Sequence, residues 1–179
     1  MRAMMQNRFL CYLLALIVIS LDQYTKLLAL QHLQFATPVP VVPFLNWTLL
    51  FNTGAAFSFL SDTGGWHQWL FGGLALAVSV FIVTYIWKLP QQARLLSLSL
   101  ALILGGALGN VYDRMTLGYV VDFIDVYVNS CGSLTSLFPG CHWPAFNVAD
   151  SAITLGAVLL LVDSFVNDPP SRSREGDTQ

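Results

Sequence analysis

Four long apolar stretches decide what this chain can fold into. They cover about residues 9–30, 68–87, 95–112 and 146–166. As helices, such stretches are long enough to cross the roughly 30 Å of hydrocarbon in a bilayer. Of the 179 residues, 55% are hydrophobic and only 10% charged, where a soluble domain carries about 25% charged residues. A water-soluble core of this size cannot hide that much apolar surface, so the bilayer must serve as solvent. The net charge of −2 argues against nucleic acid as a partner. The expected fold is all-α and integral to the membrane, with four transmembrane helices in one domain over residues 1–166.

The basic residues set an orientation. Arg2 and Arg8 precede the first span, Lys88 and Arg94 lie between the second and third, and Arg172 and Arg174 follow the fourth. The connections at 31–67 and 115–145 contain no Lys or Arg. Excess cations mark the cytoplasmic side, so both termini are expected in the cytoplasm and the two long loops outside. The first span could pass for a cleaved signal peptide. No small-x-small site follows it, however, and Asp22 and Lys26 continue one helical face instead. Lys26 and Arg114 oppose the cation bias at the outer ends of their spans, which points to specific partners there. Residues 167–179 are polar and rich in Pro, Ser and Arg, and are expected to form a disordered cytoplasmic tail.

In the first outer loop, Pro38, Pro40 and Pro43 keep the chain extended. Residues 46–52, the turn pair Thr53-Gly54 and residues 55–60 then give a strand-turn-strand signal. Trp47, Trp66 and Trp69 would anchor it at the interface. Gly105, Gly106 and Gly109 in the third span invite close approach of another helix.

Carboxylates near bilayer depth stand out against this background. On insertion scales one costs about 2.5–3.5 kcal/mol at the membrane centre, so each needs a partner or a task. Asp22 and Lys26, four residues apart, share a helical face and can pair, as a structural ion pair or as a substrate contact. Asn110, Asp113 and Arg114 share a face at the outer end of the third span. They read as a network holding the following loop, with Arg114 keeping Asp113 ionised or reaching a lipid phosphate. Asp122 is flanked by Val120, Val121, Phe123 and Ile124, the most apolar neighbourhood of any carboxylate in the outer loops; Asp125 is its rival. Asp150 opens the fourth span, where an acidic side chain also suits a helix N-terminus.

With Asn52, Asn110 and Asn147 expected at the same membrane level, Asp122 and Asp150 read as a site. Two carboxylates in apolar surroundings can share one proton, the chemistry of aspartic proteases. The ionised member takes a proton from water and the protonated one polarises the scissile carbonyl. Nearby Asn side chains can hold substrate backbone or the polarised oxygen. Rival chemistry is thin. Cys11 sits mid-span as a core residue. His32, His67 and His142 show no metal-ligand spacing, and Cys131, Cys141 and His142 make only a weak metal set, so no metal and no cofactor are expected. Cys131 and Cys141 can form a disulfide if their side of the membrane is oxidising. A transporter would show a repeat and polar groups at the midplane, and a helix-pairing scaffold would lose more stability than activity when Asp150 is changed.

Five segments together carry a resemblance: Asp22-Gln-Tyr-Thr-Lys26, Phe51-Asn-Thr-Gly-Ala-Ala-Phe57, Gly109-Asn-Val-Tyr-Asp-Arg114, Val121-Asp-Phe123 and Phe146-Asn-Val-Ala-Asp150. In this order, on four spans, they resemble the bacterial lipoprotein signal peptidases (signal peptidase II) over nearly the whole chain. The resemblance implies a multi-pass inner-membrane aspartic endopeptidase with its site near the outer face. Its substrates would be prolipoproteins, cut before a diacylglyceryl-modified cysteine, met among membrane lipids. The catalytic pair maps onto Asp122 and Asp150. Supporting positions map onto Asn52 and its neighbour Gly54, Asn110, Arg114 and Asn147, with Asp22, Lys26 and Asp113 as a structural polar network. A small extracytoplasmic β-structured cradle would correspond to the loop around residues 46–59, and a second extracytoplasmic loop would follow the third span. Inhibition by the cyclic peptide globomycin is also implied. One departure is clear: the stretch between the two aspartates is longer than the family leads one to expect, with extra residues near 129–142.

Overall fold

The computed structural model describes residues 2–54, 66–90, 92–128 and 141–167. In chain order the elements are α1 (Arg2–His32), β1 (Val39–Val42), β2 (Leu45–Asn52), α2 (Trp66–Lys88), α3 (Arg94–Thr116), β3 (Val120–Val126) and α4 (Val148–Asn167). All four helices contain a stretch long and apolar enough to cross a membrane. Their outward residues, such as Phe9, Leu16, Phe81, Leu161 and Phe165, are large, apolar and exposed. Exposure on that scale fits lipid as the solvent.

Helix α3 is the axis of the bundle. Its apolar window is 61% buried, against 28%, 17% and 17% for the windows of α1, α2 and α4. Small residues make this possible, because lipid supplies little drive for helices to associate and close backbone approach must do so instead. A Cβ on Gly105 would lie 2.7 Å from Val18 Cβ of α1, and one on Gly106 would run into the Ala149 carbonyl of α4. The glycines expected to admit a neighbouring helix thus admit two, on different sides.

One end of the bundle is apolar. Cys11, Ala15, Ile82, Ile86, Leu100, Ala101 and Leu104 form its core. The other end carries the sheet, an antiparallel β1-β2-β3. A second small core of Ala29, Leu49, Val121 and Phe123 seats the sheet on the end of α1. Pro40 lies in β1, an edge strand, where its missing N–H is harmless.

The sheet departs from expectation in one instructive way. Residues 120–126 were expected as loop, yet they form β3, pairing Asn52 with Val120, Phe51 with Val121 and Leu50 with Asp122. Asp122 and Asp125 hide the strand pattern. They lie three apart, so they point to opposite faces of the strand, and both are buried. Residues 141–146 then run along the other side of β3, with the Phe146 N–H donating to the Ile124 carbonyl at 3.0 Å and the Trp143 N–H to the Val126 carbonyl at 2.8 Å. The expected return strand at 55–60 and the tail at 168–179 fall outside the described residues. So does Cys131, and with it the Cys131–Cys141 pairing.

Candidate active site

At the sheet end, α1, α3, α4 and β3 meet around buried charge. Lys26 is 2% exposed. Its Nζ lies 2.8 Å from Asp22 Oδ2, 2.8 Å from Asp113 Oδ2 and 2.9 Å from Asn110 Oδ1. An ammonium has three donors, and all three are used. Asp22 accepts the Ala149 N–H at 2.8 Å with its other oxygen, capping the start of α4. Asp113 accepts the Val121 N–H at 3.1 Å and so fastens β3 to α3. Gln23, which no local sequence signal marks, donates to Asp22, to Asp113 and to the Gly109 carbonyl. Gly109 is obligatory here: a Cβ would stand 2.7 Å from Asp22 Oδ2.

This cluster aims three amides. Asn110 must turn its oxygen toward Lys26, a pure donor, so its Nδ2 faces Asp150 Oδ1 at 2.7 Å. Asn147 caps α4, its Oδ1 accepting the Asp150 N–H at 2.9 Å, so its Nδ2 faces Asp122 Oδ1 at 2.8 Å. Asn52 accepts the Gly54 N–H at 2.9 Å and presents Nδ2 to Asp122 Oδ2 at 3.0 Å. Gly54 has a φ of 87°, a left-handed conformation that glycine adopts without strain. A Cβ there would also press on Phe71 at 3.0 Å. In each case a donor behind the amide fixes which end points forward.

Asp122 and Asp150 are therefore joined through Asn147 and Asn110, which also bond each other at 3.2 Å. Asp122 is 2% exposed; Asp150 is only partly buried. Asp150 Oδ2 accepts nothing from the described residues. Burial first, and then the charge of Asp150, push the Asp122 carboxyl up to about 7, against the opposing hydrogen bonds from Asn52 and Asn147. Arg114 donates through Nη1 to the Asn110 carbonyl at 3.3 Å. Its Nε is buried without a partner among the described residues.

The rival, Asp125, lies apart. Its oxygens are taken by Asn46 at 3.2 Å, Thr48 at 2.8 Å and His142 at 2.6 Å. Burial would raise its carboxyl, but these bonds outweigh burial and hold it below the usual carboxylate range. Among the described residues, no group of three His, Cys, Asp or Glu has a metal-binding arrangement.

A sequence model described as signal peptidase (SPase) II matches residues 14–166. The chain belongs to the signal peptidase II family. It is 56% identical over 152 residues to a lipoprotein signal peptidase of Acinetobacter baylyi, covering 85% of this chain and 79% of that protein. A lipoprotein signal peptidase of Polynucleobacter necessarius is 51% identical over 148 residues, covering 83% of this chain and 84% of that one. Among solved structures, a bacterial membrane enzyme determined by the in meso method at 2.3 Å superposes with a TM-score of 0.73 at 28% identity, over 93% of this chain and 94% of that one. A second, determined at 1.9 Å, also gives 0.73, at 30% identity over 88% and 93%. Signal peptidase II is a membrane-embedded aspartic protease that processes prolipoproteins, and membership gives this chain that activity.

Proposed function

We propose that Asp122 and Asp150 are the catalytic pair of this peptidase, cutting prolipoproteins immediately before the diacylglyceryl-modified cysteine. One observation carries the assignment: two carboxylates from different elements share a single amide network, and the charge of one raises the other toward neutrality. Below about 7 Asp122 keeps its proton, which makes it the member that donates. Asp150, the more exposed member, takes a proton from water as the water oxygen attacks the scissile carbonyl. Asp122 gives its proton to the carbonyl oxygen. Collapse of the tetrahedral intermediate breaks the C–N bond. Asp150 passes its proton to the leaving nitrogen, and Asp122 recovers one from the hydroxyl. The titration belongs to the pair as a unit.

The supporting roles divide in the same reading. Asn52, Asn110 and Asn147 orient the carboxylates, with Gly54 holding Asn52. Arg114, with a buried donor to spare, meets the substrate or its lipid. Asp22, Lys26 and Asp113 hold the scaffold. The cation distribution supports cytoplasmic termini and a site near the outer face, where a lipid-anchored cysteine brings the scissile bond to the membrane surface. Acyl chains enter between helices from the bilayer.

The test is cleavage of a diacylglyceryl-modified prolipoprotein by purified wild type, Asp122→Asn and Asp150→Asn, with and without globomycin. Each substitution should cost roughly 10²- to 10⁴-fold in rate, the usual worth of a general acid or base, with the helical signal unchanged. Globomycin should block the wild type. A folded Asn variant with near wild-type turnover would refute the pair.

A further inference from the structure

Asp125 is a buried carboxylate that the chemistry of Asp122 and Asp150 does not use. We infer that Asp125 and His142 form a clamp that positions Asn147 and Asp150 against Asp122; the inference rests on the pair assigned above.

The clamp joins three segments. From β2 come Asn46 Nδ2 at 3.2 Å and Thr48 Oγ1 at 2.8 Å, both to Asp125 Oδ2. From residues 141–146 comes His142 Nδ1, 2.6 Å from Asp125 Oδ1. The His142 ring also stacks on Tyr127, with centroids 5.5 Å apart and planes 25° from parallel. A buried carboxylate is expensive unless its lone pairs are satisfied. An aliphatic residue would serve packing better, so the group at 125 is accounted for by what it ties together.

What it ties is the segment that delivers half of the site. Beyond His142, the Phe146 carbonyl accepts N–H groups from Phe123 at 3.1 Å and Ile124 at 2.8 Å. The next residue is Asn147, which bonds Asp122 and caps the turn that carries Asp150. Asp122 sits three residues from Asp125 on the same strand. One end of residues 141–147 is thus pinned by His142 and the other ends in the catalytic network. The clamp also closes the point where the chain leaves β3 and returns, since the Val128 N–H donates to the Cys141 carbonyl at 2.9 Å. Asp125 and His142 never touch reacting atoms in this arrangement. They are positioning residues.

Misplacement by about 1 Å can cost about 10²-fold in rate. The experiment measures kcat and KM on the diacylglyceryl-modified prolipoprotein for wild type, His142→Ala, His142→Asn, Thr48→Val and Asp150→Asn. His142→Ala should lower kcat roughly 10- to 100-fold with KM held within about twofold. His142→Asn, which places an amide donor near the Nδ1 position, should recover most of the loss. Thr48→Val, nearly isosteric and remote from residues 141–147, should lower kcat about threefold or more by loosening Asp125, a smaller displacement than losing His142. Wild-type kcat in a folded His142→Ala protein overturns the clamp, as does an Asn variant no better than Ala. If His142→Ala fails to fold, unchanged kcat in Thr48→Val overturns it. Retained activity in Asp150→Asn would instead sink the catalytic pair, so the two failures are told apart.

Discussion

The two ends of the bundle are held together by opposite means. At the apolar end, Cys11, Ala15, Ile82, Ile86, Leu100, Ala101 and Leu104 interlock without a charge among them. At the sheet end, Lys26, Asp22, Asp113 and Asn110 make a buried polar cluster in which every ammonium donor has an acceptor. Lipid is as apolar as leucine, so the first end gains from close packing and little from leaving solvent. The second gains only if its partners are complete, because an uncompensated buried charge is worse than none. Apolar packing tolerates small errors. A matched network does not, but it fixes direction, which the site requires.

That contrast can be broken in three ways, in order of expected effect. Lys26→Met should be the most damaging, at about 3–5 kcal/mol, because Asp22 and Asp113 lose their shared counter-charge while still buried. Thermal unfolding in detergent reads this directly, and a loss below 1 kcal/mol would mean the cluster is not held by its charges. The second lever is pH. Asp122 keeps a proton in the folded protein up to about 7, whereas its ordinary value is 3.8. Between those values the folded state binds more protons than the unfolded state, so stability falls as pH rises through that window. Turnover should fall about tenfold per unit above about 7, as Asp122 loses the proton it donates. Asp122→Asn should flatten the stability slope, and a wild-type profile flat to pH 9 would contradict the raised carboxyl. Smallest is Ile86→Val at the apolar end, about 0.5–1.5 kcal/mol with unchanged turnover. A larger loss of activity than of stability there would show that the ends are not independent.

The sequence disclosed what the bilayer makes costly. Spans follow from apolar length, and Asp22, Lys26, Asp113, Asp122 and Asp150 stood out because charge is rare in such a chain. Asn110 and Asn147 fall at the outer ends of their spans, and Asn52 in the first outer loop, so the three could be set at one level. Contacts between elements distant in sequence were not legible. β3 was masked by the two aspartates that make it useful. Nothing in its local sequence gives Gln23 a role, and only the approach of α3 gives it Asp113 and the Gly109 carbonyl. The tie from His142 to Asp125 spans 17 residues, and no local pattern announces it. α3 runs to Thr116, four residues past the expected end of its span, because Asp113 and Arg114 find partners inside the protein.

The fixed orientation of the three asparagines has a consequence for proton traffic. Toward Asp122 and Asp150 they present only N–H groups; their oxygens face Lys26, the Asp150 N–H and the Gly54 N–H. An amide facing this way can donate a hydrogen bond but cannot accept a proton. The carboxylates of Asp22 and Asp113, a few bonds away, are therefore cut off from Asp122 and Asp150. Among the described residues, the buried charges that hold the site together offer no exit for a proton shared by Asp122 and Asp150, which leaves it the substrate and water.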